Sequence, residues 1–453
     1  MKPRPPLPGG PYVVAGLARS GAAVALALRA RDEEVLGVDA GHPSGADALA
    51  RAGVRVHVGH ESPQVLEGAR TLVKSPGVPA DAALVRAARE RGLTILGELE
   101  LAWRMIPNEV IAVTGTNGKT TTVELIGHLH RKAQLPVAVA GNVGLAMSRL
   151  AQRADLAAPG DATVVCEVSS FQLEDALAFS PEAAVLLNLA PDHLDRHGSF
   201  EAYRAAKLSI FSRQGEHDVA VLPGALGVDA AALGGRAREV RFGTSEASLS
   251  EHDDALWWEG LDEPLLALDE LSLRGEHNVQ NAMAAAAVCL ARGLEVEAVR
   301  EGLRDFEGVP HRLEEVASAR GVLYVNDSKA TNVASTLVAL QSFPPQDGVP
   351  VVHVVLGGQG KGQDFGSLRE ELARSARAAY LIGEDAASIA DALEGSGVEV
   401  HQCEDMERAV ASAARAALPG EVVLLSPACA SFDQFTDFEA RGQRFRELAT
   451  HAA

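Results

Sequence analysis

No apolar run in this 453-residue chain approaches the roughly 20 residues needed to cross a bilayer as a helix, so no membrane span is expected. Cysteine is scarce. The four present, Cys166, Cys289, Cys403 and Cys429, lie far apart and lack metal-ligand spacing. Cys166 sits in an apolar strand-like run and Cys289 in an apolar helical one, which reads as packed thiols in a reducing cytoplasm. Positive charge is also in deficit: 41 Lys and Arg against 61 Asp and Glu leave a net charge of −20. That balance argues against a nucleic-acid or anionic-membrane partner. Any anionic substrate must therefore be met by cations concentrated in a site. The lead-in MKPRPPLPGGP has no apolar core of the signal-peptide kind. Hydrophobic content of 47% and charged content of 23% are ordinary for a globular protein. The length suggests about three domains.

The most informative stretch is Val110 to Val123, VIAVTGTNGKTTTV. A short β-branched run suits a buried strand, Thr114 to Lys119 is a glycine-rich turn, and Thr120 opens a helical pattern. This layout cradles a nucleotide triphosphate: backbone N–H groups and a helix N-terminus face the phosphates, Lys119 reaches the outer ones, and Thr120 offers a hydroxyl to Mg²⁺. Val113 stands where the general phosphate-loop pattern has its first glycine, so this is a narrower form of that motif.

Ahead of it, Tyr12 to Leu28 reads as strand, glycine turn and Ala-rich helix. Gly16 and Gly21 match part of a dinucleotide fingerprint, with Ala18 in place of the middle glycine, and Asp39 ends the next strand-like run. Further strands are expected at Val54–Val58, Thr71–Lys74 (running into Ser75-Pro76-Gly77) and Leu93–Leu96. Arg104 to Asn108 is the first candidate linker. Beyond the phosphate loop, strands are expected at Pro136–Ala140, Thr163–Val168 and Ala183–Leu189. Each delivers polar residues at its C-terminal end, where open α/β sheets bind ligands: Asn142, Glu167, and Asn188 followed by Asp192 and His193. Glu167 is the acid a phosphate-loop site needs for Mg²⁺. Gln214 to Leu273 carries short strand-like pieces that suggest an antiparallel extension. The strong helix EHNVQNAMAAAAVCLAR places Asn278 and Asn281 on one face, for a ligand or for N-capping. Gly308-Val309-Pro310 marks a second linker, before His311-Arg312. The last region alternates strands Val322–Val325, Val351–Leu356, Ala379–Ile382 and Val422–Leu425 with helices, and three of its turns form one candidate ligand rim. Boundaries at 1–106, 107–309 and 310–453 follow, with a Rossmann-like, a phosphate-loop α/β and a second Rossmann-like domain.

With TGTNGKTT, GNVG, EVSSFQLE, NLAPDHLDRH, YRAAKLSIF, HNVQN, PHRLE, NDSKATN, LGGQGKGQDF and SPACASFDQF in this order, the chain resembles the Mur ligases, ATP-dependent amino-acid-adding enzymes of peptidoglycan synthesis. SPACASFDQF is similar to the members that add D-glutamate. The resemblance implies that ATP phosphorylates the carboxylate of UDP-N-acetylmuramoyl-L-alanine and that the amine of D-glutamate displaces the phosphate. It implies ATP contacts at Gly115, Thr116, Asn117, Gly118, Lys119, Thr120, Thr121, Asn281, Arg312 and Asp327. Lys119, His193, Lys207 and Arg312 would be catalytic. Two Mg²⁺ ions would be held by Thr120, Glu167, His193 and Lys207, the last carbamylated. The UDP-linked substrate would meet Gly16, Leu17, Ala18, Arg19, Ser20, Asp39, Ser75, Pro76, Gly77, Asn142 and His193. D-glutamate would meet Lys329, Thr331, Lys361, Ser431 and Phe438. Ala18 departs from the glycine of many relatives, and Gln359 and Gly360 stand where relatives often carry an acid. A monomer is the default expectation.

Overall fold

The computed structural model describes residues 2–59, 62–142, 144–152, 161–273, 275–360 and 362–452. Among them the strands form three sheets, and the chain divides into two compact units, Met1–Ser272 with His277–Phe306 and Leu273–Glu276 with Glu307–Ala453. No helix among the described residues is long and apolar enough to cross a membrane.

The first sheet holds β1 (Tyr12–Ala15), β2 (Val35–Asp39), β3 (Arg55–Val58), β4 (Thr71–Lys74) and β5 (Thr94–Gly97). Its order is β3-β2-β1-β4-β5 with every pair parallel. The central strands β1 and β4 are buried along their whole length, as parallel strands covered on both faces must be. The strand order reverses between them, which opens a crevice at their C-terminal ends. The glycine turn after β1 and the Ser75-Pro76-Gly77 turn after β4 both stand there.

The second sheet runs β14-β13-β12-β11-β10-β9-β6-β8-β7. Its strands are β6 (Val110–Thr114), β7 (Val137–Gly141), β8 (Thr163–Glu167), β9 (Ala183–Leu186), β10 (Val219–Pro223), β11 (Arg238–Phe242), β12 (Leu249–His252), β13 (Ala255–Trp258) and β14 (Leu266–Ala267). The phosphate-loop strand β6 lies between β8 and β9. The antiparallel extension expected from Gln214 onward begins later than the sequence suggests. β10 and β11 continue the parallel sheet, and only β12, β13 and β14 pair antiparallel. Connection length decides this. The stretch between β10 and β11 is long enough for a crossover, whereas Asp253 and Asp254, both left-handed, form a two-residue hairpin turn.

The third sheet is ordered β15-β16-β20-β17-β18-β19, with β15 (Glu314–Ala319), β16 (Val322–Asn326), β17 (Val352–Gly357), β18 (Ala376–Ile382), β19 (Glu399–Glu404) and β20 (Val422–Leu425). β15 alone is antiparallel to its neighbour. β15 and β19 were not expected. Both are edge strands, and their sequences EEVASA and EVHQCE carry the polar residues that half-exposed edges tolerate.

The stretch Arg104–Asn108 is no open linker. Arg104 belongs to the helix Glu98–Met105, and Ile106 and Asn108 are buried. That helix is buried from Glu98 to Trp103 because it faces the first sheet on one side and the second on the other. Two of its carboxylates cross the seam. Glu98 accepts from the backbone N–H and hydroxyl of Ser148 at 2.9 and 2.7 Å, and Glu100 accepts from the N–H groups of Ala178 and Phe179 at 3.0 and 2.7 Å. Lys74, fully buried, pairs with Asp175 at 2.7 Å across the same seam.

Candidate active site

The phosphate loop joins β6 to the helix Lys119–Lys132, and its last residue before the helix, Gly118, is left-handed at φ 84°. A Cβ there would lie 2.1 Å from Asn281 Oδ1, so only glycine fits both the backbone and the neighbour. Asn281 is thereby placed against the loop. It bonds Asn278 at 3.1 Å, and both lie inside the helix Glu276–Ala291, which removes N-capping as their role.

The loop is clamped from β9. Asn117 N–H donates to Asn188 Oδ1 at 2.9 Å, Asn188 Nδ2 donates to the Asn117 carbonyl at 3.1 Å, and Thr116 N–H reaches the Asn188 carbonyl at 3.2 Å. Thr116 Oγ1 meets the Tyr203 hydroxyl at 2.9 Å. Lys119 folds over its own loop and donates to the carbonyls of Gly115 and Thr116.

Glu167, at the end of β8, is buried. The Thr120 hydroxyl donates to its Oε2 at 2.7 Å, and Asn142 Nδ2 approaches its Oε1 at 3.3 Å. Gly141 lets β7 end directly on this residue, since a Cβ would lie 2.3 Å from the Glu167 carbonyl. Thr120, Glu167 and Asn142 thus form one line of hard oxygen donors and an amide beside the phosphate loop, chemistry that suits Mg²⁺. Among the described residues no three His, Cys, Asp or Glu side chains gather into a metal site of their own. A Mg²⁺ ion here would draw its remaining ligands from phosphate and water.

Lys207 is buried, although a lysine in a helical pattern reads as a surface residue. Its ammonium donates to the Gly115 carbonyl at 2.8 Å and lies 4.8 Å from the Tyr203 ring centroid. Burial, reinforced by Lys119, lowers its pKa to about 7, against the opposing pull of Asp192 and Glu167. His193 is left-handed at φ 51° and half exposed, with its ring 5.0 Å from that of Phe171.

In the first sheet, Asp39 accepts from Leu17 N–H at 2.6 Å and Gly41 N–H at 2.8 Å, fixing the glycine turn. The Leu17 side chain is core, leaving only its backbone for a ligand. Ser75 Oγ donates to the Gly16 carbonyl at 2.7 Å, which joins the two turns at the crevice. Pro76 and Gly77 form the rest of that second turn, closed by Val78 N–H to the Ser75 carbonyl. Ala18 caps the helix Arg19–Arg29 without a side-chain bond, and Ser20 lies in its first turn. Arg19 reaches the Asn142 carbonyl at 3.0 Å. The expected UDP-substrate residues and the Glu167 line are therefore contiguous.

The second compact unit carries the others. Asp327 is buried, accepts from Ser426 Oγ at 2.8 Å and Leu313 N–H at 3.3 Å, and burial raises its pKa to about 7. Arg312 stands between two left-handed residues, His311 at φ 62° and Leu313 at φ 47°, and its Nε is buried without a hydrogen-bond partner. Ser328 Oγ donates to the Phe438 carbonyl at 2.8 Å, and Lys329 lies 5.8 Å from the Phe438 ring centroid. Thr331 N–H bonds the Lys329 carbonyl, and Ser431 is buried in the turn after β20. Gln359 pairs with Ala430 in both directions at 2.9 Å, and Gln363 reaches the Ala428 carbonyl at 2.7 Å. The turns after β16, β17 and β20 thus form one rim. Lys361 lies outside the described residues.

Sequence reasoning passed over Asn188 as a loop clamp and Tyr203 as the bridge from Thr116 to Lys207. The signals were present: Asn188 ends a strand beside β6, and Tyr203 stands four residues before Lys207 on one helix face.

Family models cover most of the chain: the MurD-like N-terminal domain of Mur ligases over residues 11–97, the Mur ligase middle domain over 113–289, and the Mur ligase glutamate ligase domain over 311–429. The chain belongs to the Mur ligase family. It is 40% identical over 98% of both chains to a protein of Koribacter versatilis, and 42% identical over 96% of both to one of Salinibacter ruber. Each of these relatives is named UDP-N-acetylmuramoylalanine–D-glutamate ligase. Solved Mur ligases share the fold. The UDP-N-acetylmuramate–alanine ligase of Thermotoga maritima superposes at a TM-score of 0.60, with 20% identity, covering 98% of this chain and 99% of that one. A bifunctional folylpolyglutamate synthase/dihydrofolate synthase from Yersinia pestis reaches 0.57 at 20% identity, covering 78% of this chain and 92% of that one. The fold alone therefore does not separate these activities. Mur ligases are ATP-dependent enzymes that form amide bonds.

Proposed function

We propose that this Mur ligase, a monomer in the cytoplasm, joins D-glutamate to UDP-N-acetylmuramoyl-L-alanine: the γ-phosphoryl of ATP passes to the substrate carboxylate, leaving ADP, and the amine of D-glutamate displaces it as phosphate. The product is a peptidoglycan precursor on which cell shape and division depend. Identity of about 40% along essentially the whole chain to relatives named for that reaction supports the substrate assignment. The observation that carries the chemistry is the line Thr120–Glu167–Asn142 beside the phosphate loop.

The obstacle is bringing an anionic carboxylate to an anionic γ-phosphate. Lys119 and Arg312 neutralise that repulsion, and bound Mg²⁺ adds charge stabilisation at the transferring phosphoryl group. Gly115, Thr116, Asn117, Gly118 and Thr121 shape the phosphate cradle, and Asn281 and Asp327 complete the ATP set. Thr120 and Glu167 would hold one Mg²⁺, and His193 with Lys207 the other. As an ammonium Lys207 would repel a cation. Its lowered pKa supplies a neutral amine whose lone pair can attack CO₂, forming an N–C bond and releasing one proton. The resulting carbamate is an anionic oxygen ligand. The crevice between β1 and β4 receives the UDP part, and Asn142 and His193 face the muramoyl–alanine end. Lys329, Thr331, Lys361, Ser431 and Phe438 take D-glutamate. Domains of 1–106, 107–309 and 310–453 divide these tasks.

The test is ADP release with ATP, Mg²⁺, UDP-N-acetylmuramoyl-L-alanine and a panel of amino acids. Release that depends on D-glutamate supports the reading. Release with another amino acid, or none, removes it.

A further inference from the structure

Arg196 has no part in that assignment, yet it touches both ends of it. It lies three residues after His193 on the short helix Leu194–His197. Its guanidinium carbon sits 3.7 Å from the Phe171 ring centroid, and Nη2 donates to the Val78 carbonyl at 3.2 Å. Phe171 in turn meets the His193 ring at 5.0 Å and stacks on His197 at 5.1 Å. Val78 closes the turn that begins at Ser75, and its side chain is what a Cβ on Gly16 would strike, at 2.9 Å. A line of contacts therefore runs from the glycine turn of the first sheet through Val78 and Arg196 to Phe171 and His193.

His193 needs such support. A left-handed conformation in a residue other than glycine is strained and persists only where the surroundings fix it. The His193 N–H donates to the adjacent Asp192 at 2.9 Å and its carbonyl accepts from the N–H groups of Arg196 and His197 at 3.1 and 3.0 Å, bonds that hold the backbone, while the ring packs on Phe171.

We infer that Arg196 is a positioning residue that fixes His193 relative to the turn receiving the UDP part of the substrate. The inference rests on the ligase reading above. A planar guanidinium both stacks on Phe171 and donates to Val78, whereas lysine offers a point charge without the planar stacking face.

The experiment compares steady-state kinetics of the full-length enzyme with R196K, R196M and F171L, each checked by thermal melting. The expected result is a KM for the UDP-linked substrate raised about tenfold or more with a lower kcat, since small misplacement of a reacting group is costly, while the KM for ATP stays within about twofold. R196K should retain part of the loss, and R196M combined with F171L should be less than additive. Equal changes in the KM of all three substrates, or no change in any, would overturn the inference. R196K keeps the charge and guards against a merely unfolded R196M. A wild-type enzyme without D-glutamate-dependent ADP release removes the ligase reading and this inference with it. An active wild type with unaltered variants removes the inference alone.

Discussion

Lys119 and Lys207 donate to one acceptor, the Gly115 carbonyl, at 3.0 and 2.8 Å. Two cations so arranged disfavour each other, and the buried one yields: burial first, then Lys119, lowers Lys207 to about 7 from its usual 10.5. A depressed lysine contributes stability that is complete above the unfolded value and is lost as pH falls through the folded one. Urea midpoints are therefore expected to rise between pH 7 and 10.5, and K207M should flatten that slope. K207A should lose activity on the order of a hundredfold or more, with partial recovery in acetate, a small carboxylate able to occupy the vacated space. No recovery in acetate, together with an intact mass lacking the added CO₂, would remove the carbamate.

Gly118 tests the phosphate loop. Alanine there must adopt φ 84° and place a methyl on Asn281, so G118A should cost about 1–3 kcal/mol in urea unfolding and raise the KM for ATP. Adding N281A should recover the part due to the clash and leave the part due to the backbone. Full recovery would show that the backbone strain is negligible.

Lys74 and Asp175 test the seam between the first two sheets. Removing one partner of a buried pair leaves the other uncompensated, at about 3–5 kcal/mol. K74M should reach that range by chemical denaturation. K74M combined with D175N should regain most of it, because burial already raises the pKa of Asp175 toward its neutral form. Equal losses in the single and double variants would contradict the pairing.

Asp327 gives the opposite pH signature to Lys207. Burial raises it from 3.8 to about 7, so its contribution is complete below the unfolded value and is lost as pH rises through the folded one. The stability of the second unit should fall between those values, and D327N should suppress the fall. A variant with the same pH profile as the parent would place the titration elsewhere.

The phosphate loop was legible because its chemistry constrains residue types at adjacent positions: glycine for φ, lysine for charge, threonine for a hydroxyl. Strands buried on both faces, such as β1, β6, β17 and β20, announce themselves as continuous apolar runs. Edge strands β15 and β19 do not, since half of each faces water. Lys207 was legible only by resemblance, because spacing along a helix does not say which face is covered. Asn188 and Arg196 were hidden for a related reason. Each acts on backbone groups distant in sequence, and a backbone carbonyl or N–H leaves no signature in its own residue type.

The helix Glu98–Met105 has a consequence for how this architecture can be recombined. Glu98 and Glu100 satisfy backbone donors on the far side of the seam, so the first sheet is not a cassette. A chimera that grafts a foreign N-terminal sheet at residue 106 would bring carboxylates, or their replacements, to Ser148, Ala178 and Phe179 without the matching partners. The natural exchange boundary lies elsewhere: any transplant has to carry the helix and its two receiving segments, at Ser148 and at Ala178–Phe179, as one inherited block.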